Sequence, residues 1–232
     1  MKIIKLTENI SNLDTSAYAE DDKFLVFDID GTLYKENKEL VSKRRLAQWK
    51  HLNRDLNISF DEFESKSKIY TKKYGTNYKG FLKDYKIGED LIKNIDNVYG
   101  EISDHLTDPS ASIELLKNLS NSQKRVRIFC FSNSTSKQSE YTLNILNISK
   151  YVDTLFCTGY CTKNEIITKP MVEAFDYVNK VVQNNGDKKI LFFDDNDMNI
   201  ESAKKSGWIA IKVDDADNIN NIVEREIKNH FG

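Results

Sequence analysis

Short, nearly unbroken apolar runs recur along the chain, and the first three end in clusters of polar residues. The runs cover residues 24–27, 126–131, 190–193 and, more weakly, 208–213. A short run without polar interruptions is typical of a strand buried on both faces, as in a parallel sheet. The pattern therefore predicts a parallel sheet with polar clusters at the carboxyl ends of its strands, where open α/β sheets bind ligands.

Helical patterns separate these apolar runs. The predicted helices are one opened by Thr107, Asp108 and the first-turn proline Pro109, one over 141–146, one opened by Pro170, and one over 199–206 that Gly207 ends. The alternation of strand and helix predicts right-handed βαβ units around the sheet. The first twenty residues either supply an extra edge strand through residues 2–6 or are disordered.

The stretch between residues 37 and 106 has no strand pattern. Apolar and aromatic residues recur there at helical spacing, namely Leu46, Trp49, Leu52, Leu56, Phe60, Phe63 and Tyr70. The sequence thus predicts a discontinuous α/β domain made of residues 1–36 and 109–232, with an all-helical insert over 37–108. Tyr70, Tyr74 and Tyr78 recur every four residues and are predicted to share one helix face, either packing on the core or stacking on a substrate.

Composition and charge exclude several classes of protein. The 232 residues carry 34 Lys and Arg against 36 Asp and Glu, a net charge of −2, which argues against a broad nucleic-acid-binding surface. No apolar run approaches the roughly 20 residues of a membrane span, and the N-terminus lacks a signal-peptide pattern. Three cysteines cannot supply a disulfide framework for a chain of this size. We therefore expect a protein of the cytoplasm, without a membrane or nucleic-acid polymer as partner.

Carboxylates dominate the polar clusters after the first and third runs. Asp28 and Asp30 are two residues apart at a strand end, so their side chains are predicted to lie on the same side. Asp194 and Asp195 add negative charge at the same edge of the sheet. Several carboxylates held close together need a compensating cation, and oxygen ligands of this kind suit Mg²⁺.

The remaining polar residues near the strand ends suit a phosphate group. Lys169 supplies a second positive charge, and the helix predicted to start at Pro170 offers its N-terminal dipole to an anion. Ser132 and Asn133 provide a hydroxyl, an amide and backbone donors. Each fragment alone is common as a turn, a solvated loop or a surface lysine, but their shared position after buried strands indicates a phosphate site.

The motifs resemble those of the haloacid dehalogenase-like (HAD) phosphatases. Residues 27–34 (FDIDGTLY) resemble the first family motif, 131–133 the second, Lys169 the third and 193–199 the fourth. Residues 70–81 and 168–175, together with Tyr34, resemble the pyrimidine 5′-nucleotidase-like branch, which often has Arg where Lys79 stands. The resemblance implies an α/β fold with a HAD-like Rossmann-type core and a small all-helical cap inserted after the first motif.

The resemblance also implies roles for the residues of these motifs. Asp28 would be the nucleophile and Asp30 the acid and base that handles the proton. Mg²⁺ would be held by the Asp28 carboxylate, the Asp30 main-chain carbonyl and a carboxylate of the fourth motif, with Asp195 the first choice and Asp194 the second. The phosphate would be bound by Ser132, Asn133 and Lys169, with Asn199 steadying the acidic loop, and the cap would contribute substrate contacts from Tyr34, Tyr74, Tyr78 and Lys79.

The function that follows is Mg²⁺-dependent hydrolysis of a phosphomonoester through an aspartyl-phosphate. The branch resemblance favours a nucleoside 5′-monophosphate, with a sugar phosphate or another small phosphorylated metabolite as the alternative substrate. A phosphorylated-Asp switch without turnover is the alternative from another class. Asp30 argues against a dehalogenase, because displacing halide needs no proton donor whereas releasing an alcohol does.

Overall fold

A six-stranded parallel sheet forms the centre of the computed structural model, which describes residues 1–15, 18, 22–85, 96–106, 109–122, 126–160 and 165–232. Its strands are β1 (Lys2–Lys5), β2 (Lys23–Phe27), β3 (Val126–Ser132), β4 (Thr154–Cys157), β5 (Ile190–Asp194) and β6 (Ile209–Lys212). They lie in the order β1-β4-β3-β2-β5-β6, and every neighbouring pair is parallel. The α/β fold predicted from the apolar runs is therefore confirmed.

The centre of the sheet is buried because its side chains alternate between two apolar clusters. Phe27 of β2 belongs to the cluster on one face, and Val26 to the cluster on the other. In register, Phe27 lies between Cys130 of β3 and Phe193 of β5. The carboxyl ends of these three strands are thus level, and the residues that follow them share one edge of the sheet.

Residues 2–5 form the edge strand β1, which is the first of the two alternatives predicted for the N-terminus. Residues 2–5 pair with all of β4, and Ile4 is fully buried.

Cys157 at the end of β4 and Cys130 on β3 are both buried free thiols, while Cys161 lies outside the described residues. Burial raises the pKa of the Cys157 thiol to about 12, so it behaves as a small apolar side chain.

Four α-helices are formed by the described residues of the insert between 37 and 106. They are α1 (Lys38–Leu56), α2 (Phe60–Tyr74), α3 (Asn77–Tyr85) and α4 (Val98–Ile102). Over residues 37–85 and 96–106 the structure contains no strand, as predicted. The first half of α1 packs on the sheet core through Leu40 and Ala47, whereas Leu52 joins a separate cluster with Phe63 and Phe81. None of the helices formed by the described residues is long and apolar enough to cross a membrane.

The prediction that Tyr70, Tyr74 and Tyr78 share one helix face is wrong. Helix α2 ends at Tyr74 because Gly75 adopts a left-handed conformation with φ of +75°, and Tyr78 belongs to α3. A Cβ atom on Gly75 would lie 1.7 Å from the Lys169 carbonyl oxygen. Only glycine therefore allows the turn between α2 and α3 to approach the Lys169 segment this closely.

The remaining α-helices alternate with the strands from β3 onward, beginning with the helix that directly precedes β3. They are α5 (Ser110–Ser120), α6 (Ser136–Ile145), α7 (Val172–Val181), α8 (Asp197–Lys205) and α9 (Ile219–Phe231). Pro109 precedes α5 instead of standing in its first turn, and the predicted capping residues Thr107 and Asp108 lie outside the described residues. Pro170 does not open α7, because the Met171 amide donates to the Thr168 carbonyl and closes a turn first.

Candidate active site

The first candidate residues stand where β2 ends. The Asp28 amide donates to the Phe193 carbonyl at 2.9 Å, so the sheet pairing with β5 continues to this residue. Beyond it, Gly31 turns the chain with φ of +80°, and a Cβ there would lie 2.6 Å from an Asp195 carboxylate oxygen. Asp28 and Asp30 both line a cavity of about 210 Å³.

Lys169 joins the first and fourth motifs inside this cavity. Its Nζ donates to Asp28 Oδ1 at 2.8 Å and to Asp194 Oδ2 at 2.7 Å. All three side chains are nearly or fully buried. Burial disfavours the charged form of Lys169, but the two carboxylates outweigh it and hold its pKa above the usual value. Lys169 is therefore a buried cation shared by two carboxylates.

The two aspartates after β5 differ in their surroundings. Asp194 is fully buried and accepts from the Asn196 amide at 2.8 Å and from Asn199 Nδ2 at both oxygens, in addition to Lys169. Asp195 is more exposed, and its carboxylate packs against Gly31. Since Asp194 already accepts from three donors, Asp195 is the carboxylate better placed for a further ligand.

The carboxylates of Asp28, Asp194 and Asp195 form the one group of potential metal ligands found among the described residues. An oxygen from each lies within 4.8 Å of the others. Burial raises the pKa of Asp28 well above its usual range despite Lys169, and desolvation followed by the charge of Asp194 raises the pKa of Asp195 to about 7. This excess of negative charge, presented as hard oxygen ligands, fits a divalent cation such as Mg²⁺.

The second motif reaches the cavity from the end of β3. Ser132 Oγ accepts from the Ser134 amide at 3.0 Å, which leaves its own proton to be donated. The Asn133 side chain accepts from the Lys169 amide at 2.8 Å and donates to the carbonyls of Lys169 and Gly75. The side-chain amide of Asn133 thus ties the lysine segment to the turn between α2 and α3.

The four residues predicted to contact substrate lie in different places. Tyr34 is buried, and its hydroxyl donates to Asp30 Oδ1. Tyr78 is buried and lines a second cavity, described below. Tyr74 does not line the acidic cavity, and the ammonium groups of Lys79 and Lys83 lie over its ring. Lys79 is 3% exposed and donates to the Ile166 carbonyl at 2.5 Å. The structure therefore brings neither Lys79 nor Tyr74 to the acidic cavity.

A second cavity of about 260 Å³ adjoins the first and shares Asp30, Glu36, Gly75, Asn133 and Ser134 with it. Its other polar lining comes mainly from the helical insert, through Arg44, Arg45, Gln48, Asn77 and Tyr78.

Sequence reasoning missed Glu36, Arg44, Arg45 and Gln48. Glu36 lies just before α1 and the other three lie on it, where charged and amide residues usually face solvent, so nothing in the local pattern distinguishes them.

The side chains of the second cavity are held by polar contacts. Arg44 forms an ion pair with Glu36, and its Nη2 lies 3.8 Å from Asp30 Oδ1. Asn77 Nδ2 donates to Gln48 Oε1 at 3.1 Å. The Tyr78 hydroxyl is buried without a partner at hydrogen-bond geometry, although Gln48 lies close to it. The cavity therefore presents donors and acceptors to a ligand that reaches beyond Asp30.

Comparison with known proteins identifies relatives of this arrangement. The family described as haloacid dehalogenase-like hydrolase matches residues 23–207. The chain is 27% identical over 191 residues to Phosphate metabolism protein 8 of Saccharomyces cerevisiae, covering 80% of this chain and 59% of that protein. The chain thus spans less than two thirds of the length of this relative.

Two solved structures share the fold. A protein of Bacillus subtilis assigned to the HAD hydrolases, crystallised with magnesium, is 18% identical with a TM-score of 0.54, covering 83% of this chain and 89% of that one. The L-2-haloacid dehalogenase of Xanthobacter autotrophicus with chloropropionic acid covalently bound is 16% identical with a TM-score of 0.50, covering 90% of this chain and 83% of that one.

Proposed function

The chain belongs to the haloacid dehalogenase-like hydrolases, and we propose that it is a Mg²⁺-dependent phosphomonoesterase that forms a covalent phosphate on Asp28. The observation that carries this proposal is the pair of bonds from Lys169 to Asp28 and Asp194, at 2.8 and 2.7 Å. A buried lysine held against a carboxylate at the carboxyl end of a parallel sheet can neutralise both that nucleophile and the phosphoryl oxygens.

The proposed metal ligands are the carboxylates of Asp28 and Asp195 and the main-chain carbonyl of Asp30. Asp194 is the second choice, because Lys169, Asn196 and Asn199 already donate to its oxygens. When bound, Mg²⁺ would supply positive charge that offsets the charge of the phosphate group and of the attacking carboxylate. The close approach of three carboxylates supports this assignment.

The proposed reaction needs two proton transfers, and Asp30 carries both. A carboxylate oxygen of Asp28 attacks phosphorus while the bond from phosphorus to the ester oxygen breaks and Asp30 protonates that oxygen. Asp30 then takes a proton from water, whose oxygen attacks phosphorus and releases Asp28 and inorganic phosphate. Ser132 Oγ and the backbone N–H of Asn133 hold the phosphoryl oxygens, and Lys169 stays charged throughout.

We expect removal of divalent metal to abolish phosphate release. A chelator should reduce turnover below detection, excess Mg²⁺ should restore it, and Mg²⁺ should raise the melting temperature because it binds only the folded site. At about one hundred times its Kd the ion would contribute about 2.7 kcal/mol of stability. The measurements are release of inorganic phosphate and thermal unfolding with and without Mg²⁺.

Two aspartate variants test where the metal binds. Asp195→Asn should lose most of the Mg²⁺-dependent rise in melting temperature, because it removes a proposed ligand. Asp197→Asn is the matched control, since Asp197 is exposed and pairs with Lys212 outside the cavity. Full turnover in the presence of the chelator, or equal responses of the two variants, would contradict the metal assignment.

We propose that the helical insert over residues 37–108 acts as a cap and selects the leaving group. The Asn133 side chain bonds the Gly75 carbonyl at 3.1 Å, which ties the insert to the phosphate end of the site. The second cavity extends from Asp30 into the insert and is lined by amide, hydroxyl and guanidinium groups. A nucleoside 5′-monophosphate, whose base carries hydrogen-bonding edges, is the substrate that we infer.

The substrate proposal predicts a ranking of phosphate esters. The kcat/KM for CMP or UMP should exceed that for glucose 6-phosphate and glycerol 3-phosphate by at least about tenfold, because polar groups in the second cavity stay unpaired when the base is missing. The measurement is phosphate release across this panel at fixed Mg²⁺. A flat ranking, or a preference for sugar phosphates, would assign the protein to general or sugar phosphate hydrolysis.

A further inference from the structure

The hydroxyl of Tyr34 is bonded to the carboxylate that we assign as acid and base. Tyr34 donates to Asp30 Oδ1, and the two residues also form an isolated parallel β-bridge. The turn between them is fixed by the Leu33 amide, which donates to the Ile29 carbonyl at 3.0 Å, and by the positive φ of Gly31. The chain therefore folds back so that the tyrosine stands beside the aspartate.

The ring of Tyr34 cannot move easily. It is 1% exposed and belongs to the main core cluster, together with Leu40 and Ala47 of α1. The Leu33 carbonyl accepts from Ser112 Oγ at 2.7 Å, which anchors the neighbouring backbone to α5. A side chain packed this closely gives its hydroxyl a fixed position relative to the sheet.

Arg44 adds a second contact on the same side of Asp30. Its Nη2 lies 3.5 Å from the Tyr34 hydroxyl and 3.8 Å from Asp30 Oδ1, and it is itself held by Glu36. Asp30 is meanwhile 23% exposed at its side chain and lines both cavities. Without the tyrosine, this carboxylate would have room for other rotamers.

We propose that Tyr34 is a positioning residue that holds the Asp30 carboxyl between the two cavities, so that Asp30 meets the ester oxygen as the leaving alcohol departs. This inference rests on the proposed phosphatase function and changes the role of Tyr34 from a substrate contact. Oδ1 stays on the tyrosine, and Oδ2 exchanges the proton. As the bond from Asp28 to phosphorus forms and the ester bond breaks, the Oδ2 proton passes to the ester oxygen and the Asp30 carboxylate keeps the Tyr34 hydrogen bond.

The test uses Tyr34→Phe and a series of aryl phosphates from p-nitrophenyl phosphate to phenyl phosphate. A good leaving group needs little protonation, whereas phenolate leaves poorly without it. We therefore expect kcat/KM for phenyl phosphate to fall about 10- to 100-fold, and that for p-nitrophenyl phosphate to fall less than about threefold. The parameter kcat/KM reflects only the steps up to release of the alcohol, so the later hydrolysis of phospho-Asp28 does not affect it.

Tyr70→Phe is the matched control. Tyr70 is buried within the insert, and its hydroxyl, like that of Tyr34, donates to a carboxylate, that of Asp84, away from both cavities. It should leave the leaving-group dependence unchanged, and comparable melting temperatures would show that both variants are folded. We expect Tyr34→Phe to fold, because phenylalanine keeps the ring packed in the core and water can solvate the partly exposed Asp30 carboxyl after the hydroxyl is removed.

A second measurement tests whether Tyr34 acts through Asp30. In an Asp30→Asn background, Tyr34→Phe should change kcat/KM for phenyl phosphate by less than about twofold, because the carboxyl that Tyr34 positions is already gone. An equal loss for every aryl phosphate, or an undiminished effect in the Asp30→Asn background, would overturn the positioning role while leaving phosphatase function in place. Wild-type protein that released no phosphate from any ester would overturn both.

Discussion

Asp28→Asn should lower kcat for phosphate release by a factor on the order of 10⁴ or more, without lowering the melting temperature of the metal-free protein. The amide is a very weak nucleophile, so no covalent phosphate forms and only binding and charge neutralisation by the other residues remain. Stability should be preserved because asparagine has the same shape and removes one charge from a buried cluster in which burial and Asp194 disfavour the ionised carboxyl.

The experiment measures turnover and thermal unfolding of the variant beside Asp214→Asn. Asp214 is exposed and lies within 3.6 Å of Lys212, outside the cavity that holds Asp28, so this control should change neither quantity appreciably. Rapid quenching of the wild-type enzyme with substrate should trap a phosphorylated protein that the Asp28→Asn variant does not form. Turnover by Asp28→Asn above about one hundredth of the wild-type rate would exclude Asp28 as the nucleophile.

The sheet could be predicted because parallel strands buried on both faces leave an unbroken apolar signature. The runs that became β2, β3 and β5 carry it, and the short edge strand β1 does not, since lysines at positions 2 and 5 interrupt it. The same logic placed Asp28 and Asp194 at one edge of the sheet, whereas Lys169 follows no strand directly and was expected beside them from the order of the motifs and the helix predicted at Pro170. Residues that directly follow aligned strands inherit their position from the backbone, so little side-chain information is needed.

The helical insert was harder to predict because its side-chain directions depend on tertiary packing. A spacing of four residues correctly relates Tyr70 to Tyr74 within α2, but the approach of Gly75 to the Lys169 carbonyl ends that helix before Tyr78. Lys79 looks like a ligand in sequence, yet it is buried against the Ile166 carbonyl, where desolvation lowers its pKa. Local patterns contain no information on such long-range contacts.

Lys169→Met should combine a large loss of activity with a large loss of stability. Methionine matches the length of lysine and suits the rings of Phe131 and Phe192 that flank Nζ, but it leaves Asp28 and Asp194 buried without their shared cation. Breaking a buried ion pair by removing one partner costs about 3–5 kcal/mol. Turnover should fall about 10³-fold, as when a group that stabilises transition-state charge is removed.

The stability loss should depend on pH in a defined direction. In metal-free Lys169→Met, Asp28 loses the cation that opposes the effect of burial, so the pKa of its carboxyl in the folded state lies further above that in the unfolded chain. The folded state therefore binds more protons, and its stability falls as pH rises. Urea unfolding should therefore show a larger deficit relative to wild type at pH 8 than at pH 5. Lys180→Met, at an exposed position of α7, is the control and should stay within about 0.5 kcal/mol of wild type.

The double variant Lys169→Met with Asp28→Asn separates charge from packing. If the deficit comes from uncompensated carboxylates, removing one of them should restore more than half of the lost stability, because Asp194 keeps its bonds from Asn196 and Asn199. Activity should not return, since the nucleophile is absent. A double variant as unstable as Lys169→Met would instead assign the loss to packing around Phe131 and Phe192, and a fully stable Lys169→Met would refute the charge argument.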